Sequence, residues 1–525
     1  MNNIRRVVLV GAGQAALSAT QTLRSSGFDG EIVLVGDERH APYQRPPLSK
    51  EYLLGESGLE DIWLAPQKWY ADNQVKLELG KRAVRVDRRS RDVELDDGRV
   101  LKADAVLLAT GGSPRKFPGA ESERVLYLRT LDDADRMRRY VRPGRRIAIV
   151  GAGFIGSEVA ASARALGAEV TLLEAMKTPL ERVLGEAMGG VCGSLHKENG
   201  VDLRCGVSIE TIACSDTGTL IRTRDGECIE ADAVIVGIGV VPNSDIAKAS
   251  EITVGNGIRV DEFCRTDVPG IYAAGDVANH YHPLFDCRMR VEHFDNAIRQ
   301  GAVAAMNMLG VRTSYADPHW FWSDQYGHNL QYVGYAPRWD EVVIRGSIEE
   351  RRFVAIYLRN GKIAAAFGLN RGADILAIKF LLATQTAVDA GVLSDESVDL
   401  DTLVNEDSEL EKPGRSGEQA SEPGEFIQAA RSGQVGEGTV RRFVVAGTEL
   451  AVARLKGKVY ALHNLCTHQA CHLSAGKIKN DGLHCLCHGS VFDPATGEPT
   501  NPPATRPVRT YPVREVDGHI YIAVK

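Results

Sequence analysis

Two short stretches near the carboxyl end combine the residue types that bind transition metals. Cys466-Thr467-His468 and Cys485-Leu486-Cys487-His488 each pair a thiolate with an imidazole, and 16 residues separate the two pairs. Four such ligands can hold one zinc ion. They can also split across a [2Fe–2S] cluster, with Cys466 and Cys485 on one iron and His468 and His488 on the other. Zinc fingers usually group like ligands with like, as Cys-x-x-Cys and His-x-x-x-His. Each pair here mixes a soft with a borderline ligand, which favours the iron cluster.

A second kind of chemistry sits at two glycine turns. The apolar run Ile4 to Val10 leads into Gly11-Ala12-Gly13-Gln14-Ala15-Ala16, a helical pattern to about Ser26, and a second apolar strand from Glu31 to Val35 that ends at Gly36-Asp37-Glu38. This is a βαβ unit whose glycines let a pyrophosphate approach the helix N-terminus, with Asp37 placed to bind ribose or adenine. The pattern returns at strand Ile147 to Val150, then Gly151-Ala152-Gly153-Phe154-Ile155-Gly156, a helix to about Leu166, and strand Val170 to Leu173 ending at Glu174. A glutamate there accepts both ribose hydroxyls and repels a 2′-phosphate, so the second cofactor is expected to be NADH rather than NADPH. Arg182, close by in sequence, softens that preference.

The chain has 525 residues, room for three or four domains. Its formal charge of −7 speaks against nucleic acid as a general partner. No run of 18 apolar residues is present, so no membrane span is expected. Arg5-Arg6 stands before an apolar stretch too short for an export signal, and the cytoplasm is the expected location. Ten cysteines are too scattered for a disulfide scaffold.

Two further stretches carry a resemblance. Val106 to Gly112 is a strand running into a glycine turn, and Thr266 to Ala278 reads T-D-V-P-G-I-Y-A-A-G-D-V-A. With the two βαβ units, these resemble the pyridine-nucleotide flavoprotein oxidoreductases. Arg45-Pro46-Pro47-Leu48-Ser49-Lys50 and Trp320-Phe321-Trp322-Ser323-Asp324-Gln325 narrow the likeness to the putidaredoxin reductase and aromatic-ring dioxygenase ferredoxin reductase family, over residues 4 to about 400. The resemblance implies FAD in the first site, with Gly11, Gly13, Ala15, Ala16, Asp37, Arg45, Lys50, Ala83, Arg129, Asp276 and Phe294 around it. Asp276 would hold the ribityl chain. It implies that Glu158 faces the flavin and pairs with Lys50, and that Trp322 lies near the flavin edge that meets an iron–sulfur partner. The plainer alternatives are a helix-dipole acid for Glu158, solvated arginines at 45 and 129, and core packing for Trp320 and Trp322. Disulfide reductases of this superfamily carry Cys-x-x-x-x-Cys beside the flavin. No cysteine precedes Cys192 here, so the electrons must leave by another route.

The metal-ligand stretch resembles the Rieske family through Leu473-Ser474-x-Gly476, His488-Gly489-Ser490, Phe492-Asp493-x-x-Thr496-Gly497 and Pro502-Pro503-Ala504. The likeness implies a [2Fe–2S] cluster on Cys466, His468, Cys485 and His488. Cys471 and Cys487 match cysteines joined as a disulfide in Rieske proteins of cytochrome bc complexes. Ser490 matches a serine that bonds a cluster sulfide there, while Phe492 replaces their tyrosine.

The expected fold is multidomain. Two α/β Rossmann-like nucleotide-binding domains are followed by an α+β domain and an all-β Rieske domain. The boundaries read as an FAD-binding domain over 1–112 and 243–318, an NAD-binding domain over 113–242, an α+β interface domain over 319–404, a flexible linker over 405–424 and the Rieske domain over 425–525. A linker of ~20 residues spans about 25 Å on average. The expected function is an NADH-dependent ferredoxin reductase fused to its ferredoxin. It would pass electrons from NADH through FAD and the cluster to a terminal Rieske-type oxygenase or, as second choice, a cytochrome P450. The alternative is an NADH oxidase or redox-signalling flavoprotein with the cluster as sensor.

Overall fold

The computed structural model describes residues 4–403, 426–446, 448–467, 473–479, 482–485, 490–501, 504 and 507–524. The proposed linker falls outside the described residues. So do His468, Cys471, Cys487 and His488. By its packing the chain divides into two compact units. One runs to Val342 and includes Ser347–Arg351; the other takes Val343–Gly346 and the chain from Arg352 on.

Two parallel sheets organise the first unit. In the first, the strand order is Ile271–Ala273, Ala105–Leu108, Arg6–Val10, Glu31–Gly36, Val75–Leu79. In the second it is Asp202–Cys205, Glu169–Glu174, Arg146–Val150, Ala233–Val236, Val125–Leu126. The central strands are continuous apolar runs because both faces are covered, which is what a parallel sheet demands. The chain leaves the first sheet after Leu108, builds the second, and returns with Ile271–Ala273. The sheets therefore reverse their strand order beside Arg6–Val10 and Arg146–Val150, and each glycine turn opens into that crevice. This is where doubly wound sheets bind ligands. Lower in the unit, Trp320–Gln325 and His328–Gly334 form an antiparallel hairpin. No helix of the described residues is long and apolar enough to cross a membrane.

The second unit contains an antiparallel hairpin of Arg352–Arg359 and Lys362–Leu369, with helix Gly372–Ala383 packed on it. That helix ends at Ala383. The Thr384 hydroxyl bonds the Phe380 carbonyl at 2.9 Å, and Gln385 turns to φ 53°. The first strand begins at Arg6, not Ile4. The backbone N–H groups of Arg5 and Arg6 go to the Asp104 carboxylate instead.

Three small antiparallel sheets follow. One is Val440–Val445, Thr448–Leu455, Lys458–His463 and Thr510–Tyr511. A second joins Phe426–Arg431, His519–Ala523 and Val513–Val516. The third, Lys477–Lys479, Gly482–His484, Val491–Phe492 and Pro499–Asn501, carries the second cysteine loop. Phe443, Leu450, Val452, Ile520 and Ile522 form the core shared by the first two.

Candidate redox site

The first glycine turn is shaped for close approach. Gly11 has φ +113°, and a Cβ there would stand 2.1 Å from the Ala109 carbonyl oxygen. Its N–H bonds the Val35 carbonyl at 2.7 Å, which ties the turn to the neighbouring strand. A Cβ at Gly13 would meet nothing within 4 Å, so that position faces open space. Helix Gln14–Ser25 starts at Gly13 with no side-chain cap and no acid in its first turn. Its N–H groups and dipole are left to an anionic ligand, and a pyrophosphate suits them. Ala15 and Ala16 are buried behind the turn.

This turn opens into a cavity of about 330 Å³, lined by Asp37, Arg45, Lys50, Arg129, Asp276 and Phe294 among others. Arg45 is no solvated arginine: it donates to Glu38 at 2.7 Å and to the Arg129 carbonyl at 2.5 Å. Arg129 in turn donates to Asp276 at 2.7 Å. Gly275, before Asp276, sends its N–H to the Gln300 side chain at 2.9 Å, which fixes the loop that presents the aspartate. Asp37 is exposed at the rim. Ala83 does not line this cavity; it packs with Val86, Val93 and Leu95 in an apolar cluster.

The second turn opens into a cavity of about 1070 Å³. Gly151 has φ +98°, and its missing Cβ would lie 2.5 Å from the Gly237 carbonyl oxygen. Gly153 faces open space, while a Cβ at Gly156 would strike the Gly151 carbonyl at 2.0 Å. Helix Phe154–Ala165 again begins without a cap or an acid in its first turn. Glu174, the last residue of its strand, accepts the N–H of Ala152 at 2.7 Å and of Met176 at 2.9 Å. Its carboxylate is thus held beside the turn, where a ribose would lie. Arg182 is exposed on the same cavity wall.

The two cavities share Phe154, His293, Phe321 and Trp322. A buried polar knot stands where they meet. Lys50 Nζ is 3.1 Å from Glu158 Oε1 and 4.0 Å from Asp324, and Lys50 and Glu158 are only 8% and 7% exposed. Ser49 donates to the other Glu158 oxygen at 2.5 Å, and Ser323 donates to Oε1 at 2.7 Å. Burial by itself would lower the Lys50 pKa. Glu158 and Asp324 outweigh it, so the ammonium titrates above its ordinary value. Trp322 stacks on Trp320 with centroids 5.4 Å apart, meets Phe294 edge-on at 6.0 Å, and has Lys50 Nζ 5.7 Å from its ring.

Several residues of this site were not singled out from the sequence. Ser49 and Ser323 lie inside the motifs quoted above, but nothing local says that their hydroxyls meet one carboxylate. His293 lies flat on Phe321 at 3.9 Å, and burial pushes its pKa down to about 4, so it is neutral near pH 7. Its only sequence signal is its place immediately before Phe294.

In the second unit, Cys466 and Cys485 are buried, 1% and 3% exposed, on loops that follow strands Lys458–His463 and Gly482–His484. The Cys485 N–H bonds the Ser490 carbonyl at 2.8 Å. The buried Ser490 hydroxyl accepts the Ala504 N–H at 3.0 Å, and that bond leaves its own proton for another acceptor. Asn464 anchors the first loop by accepting the Ser474 N–H at 2.9 Å. Two buried cysteines, each beside a backbone-tied loop segment, fit the cysteine half of a [2Fe–2S] site.

Comparison with known proteins accounts for nearly the whole chain. Residues 5–301 match the pyridine nucleotide-disulphide oxidoreductase family, 320–404 the reductase C-terminal domain, and 425–512 the Rieske [2Fe-2S] domain. The chain is 40% identical over 401 residues to the anthranilate 1,2-dioxygenase system ferredoxin–NAD(+) reductase component of Burkholderia cepacia, covering 76% of this chain and 98% of that one. It is 37% identical over 413 residues to putidaredoxin reductase of Pseudomonas putida, covering 77% and 98%. Among solved structures, the covalent putidaredoxin reductase–putidaredoxin complex aligns with a TM-score of 0.74 at 36% identity, over 76% of this chain and 98% of that one. These relatives match the reductase part, and the Rieske domain extends beyond them.

Proposed function

This chain belongs to the pyridine nucleotide-disulphide oxidoreductase family, and on that premise we propose a self-contained electron-transfer unit that serves a terminal oxygenase. It is an FAD-dependent NADH:ferredoxin oxidoreductase with its Rieske ferredoxin fused at the carboxyl side. The observation that carries the reading is the buried Lys50–Glu158 knot in the first cavity, beside the Phe154, Phe321 and Trp322 wall that both glycine-lined cavities share. When bound, FAD accepts hydride from NADH and releases electrons singly, which suits a one-electron [2Fe–2S] acceptor.

The chain's own residues bind, orient and exclude water. The uncapped helix starts after Gly13 and Gly153 hold the two pyrophosphates. Asp276, braced by Arg129, receives the ribityl hydroxyls, and Arg45 supports that brace. Glu174 receives the ribose of the nicotinamide cofactor. Lys50 offers a fixed positive charge at the flavin, and Ser49 and Ser323 keep Glu158 in the orientation that fixes the lysine. Phe154, Phe321 and the neutral His293 keep water from the space between the cavities. Trp322, stacked on Trp320, would form an aromatic wall of the flavin cavity. Cys466 and Cys485, with His468 and His488, would hold the cluster, and the Ser490 hydroxyl would donate a hydrogen bond toward it.

We place the external acceptor among terminal Rieske-type oxygenases, because reductases of the anthranilate and p-cumate dioxygenase systems are close in sequence. The cytoplasm, where NADH is plentiful, is the proposed location, and the domain limits given above are the proposed layout. The test is the full chain with Cys485→Ser. With a terminal oxygenase and no other ferredoxin, the unaltered protein supports NADH-dependent product formation. The variant keeps NADH reduction of its flavin and loses product formation. Equal product formation by both proteins would overturn the reading.

A further inference from the structure

We propose that His280, His282 and His319, with the thioether of Met289, form a buried binding site for one d10 cation, zinc(II) or copper(I), beside the larger cavity, which His319 lines. Strand Ala278–His282 places His280 and His282 two residues apart, hence on one face. The paired strand Cys287–Met289 sets Met289 directly opposite His280. His319 comes from the residue just before strand Trp320–Gln325. One ring nitrogen from each histidine lies within 4.8 Å of the others, and the three residues are 1%, 0% and 4% exposed. Met289 Sδ is 2.6 Å from His319 Nε2.

The hydrogen bonding of this cluster points to a ligand. His282 Nε2 lies 2.9 Å from the Asp317 carbonyl. A carbonyl only accepts, so Nε2 carries the proton and Nδ1 presents its lone pair. That Nδ1 is buried and has no hydrogen-bond partner. A histidine held at one nitrogen by a carbonyl, with the other nitrogen bare, is the arrangement that orients metal-binding imidazoles. At His280 both ring nitrogens are buried without a hydrogen-bond partner. Buried polar atoms are nearly always satisfied, and a bound cation would take the bare His282 Nδ1 and one of the two His280 nitrogens.

Simple aromatic packing is the rival explanation, since the three imidazole rings sit 4.8 to 5.7 Å apart, among Tyr315 and Phe285. Packing does not account for His280 and His282 leaving buried ring nitrogens bare where a nitrogen of His319 also converges. Three imidazoles and a thioether form a borderline-to-soft donor set with no carboxylate among them, which suits zinc(II) or copper(I) and disfavours magnesium or calcium. Bonds of ~2.0–2.1 Å would draw the nitrogens to about 3.4 Å apart, a closure of roughly an ångström. The bound ion would pin the start of the strand that carries Trp322 and Ser323.

The test uses the full chain with FAD and cluster loaded, in a Cys214→Ser, Cys228→Ser background that removes two exposed thiols. Zinc(II), and in parallel copper(I) buffered by a chromophoric chelator, is equilibrated with the protein. Bound metal is counted per flavin by mass spectrometry, and its neighbours are read by X-ray absorption. The expected result is one equivalent of either ion, with nitrogen and sulfur scatterers. Occupancy should fall at least tenfold in His280→Phe, with flavin content unchanged. If His280→Phe fails to fold, His280→Asn is expected to give the same loss. No stoichiometric uptake of either ion, or uptake that survives both substitutions, would overturn the site.

Discussion

At the first glycine turn, the acid on the next strand end, Asp37, stands exposed at the rim of its cavity, whereas at the second turn Glu174 is fastened to the turn by the N–H groups of Ala152 and Met176. The closing residues differ too. Ala16 tolerates a side chain behind the first turn, while a Cβ at Gly156 would lie 2.0 Å from the Gly151 carbonyl. The second turn is organised before its ligand arrives, as suits a cosubstrate that binds and leaves in every turnover. The first delegates its grip to side-chain pairs, Arg45 with Glu38 and Arg129 with Asp276, around a cofactor that stays. One sequence pattern thus supports two kinds of binding site, and the partners of the neighbouring carboxylates distinguish them.

The sharpest way to break this comparison is to fill the turns. Gly11→Val is expected to yield protein without bound flavin, read as loss of absorbance at flavin wavelengths. Gly151→Val should retain flavin and lose roughly 100- to 1000-fold in kcat/KM for NADH, about 3–4 kcal/mol of transition-state stabilisation. If both variants lost flavin, the division between resident and transient sites would fail.

Next in size is the knot between the cavities. Glu158→Gln leaves Lys50 buried with only Asp324, 4.0 Å away. Breaking one side of a buried pair costs about 3–5 kcal/mol, so thermal unfolding should move down and flavin reduction should slow with little change in NADH affinity. The Lys50 pKa is raised in the folded protein. Its contribution is therefore complete below the ordinary lysine value and is lost only as pH rises through the folded one. Flavin reduction should be flat between pH 6 and 9 in the unaltered protein, and the alkaline limb should move toward neutrality in Glu158→Gln.

Glu174→Ala should lower the preference for NADH over NADPH by ~10- to 100-fold, or about 1.4–2.7 kcal/mol. Asp37→Ala should lower flavin content far less than Gly11→Val, because its carboxylate stands exposed at the rim and not in the turn. Steady-state constants for both nucleotides measure the first and the absorbance ratio of purified protein the second. The smallest expected effect is at Trp322→Leu, which removes a cation–π contact to Lys50 worth ~0.5–1 kcal/mol. A few-fold slower transfer beyond the flavin, with flavin reduction unchanged, is the outcome to look for by stopped flow.

Much of this architecture was legible in the sequence because its signals are local. Buried parallel strands read as apolar runs, and the Gly-x-Gly turns sit at their ends, so both βαβ units could be placed within a residue or two. The meeting of Lys50 with Glu158 followed from a motif-level likeness, since 108 residues separate them. What the sequence withheld depends on side-chain direction across elements. Ser49 and Ser323 converge on one carboxylate, and His293 lies on Phe321, with no spacing to announce either. The trio of His280, His282 and His319 is hidden in the same way, because its third member arrives from the segment just before another strand. Element ends were also missed where a single side chain decides them, as Thr384 ends its helix and Asp104 takes the N–H groups before Val7.

The measurement that tests the central claim most directly is anaerobic rapid mixing with NADH, following flavin and cluster absorbance separately over a range of protein concentrations. The account predicts flavin reduction followed by cluster reduction at a rate independent of protein concentration. A reduced flavin beside a cluster that stays oxidised would contradict it, because the fused domain would then not be the acceptor.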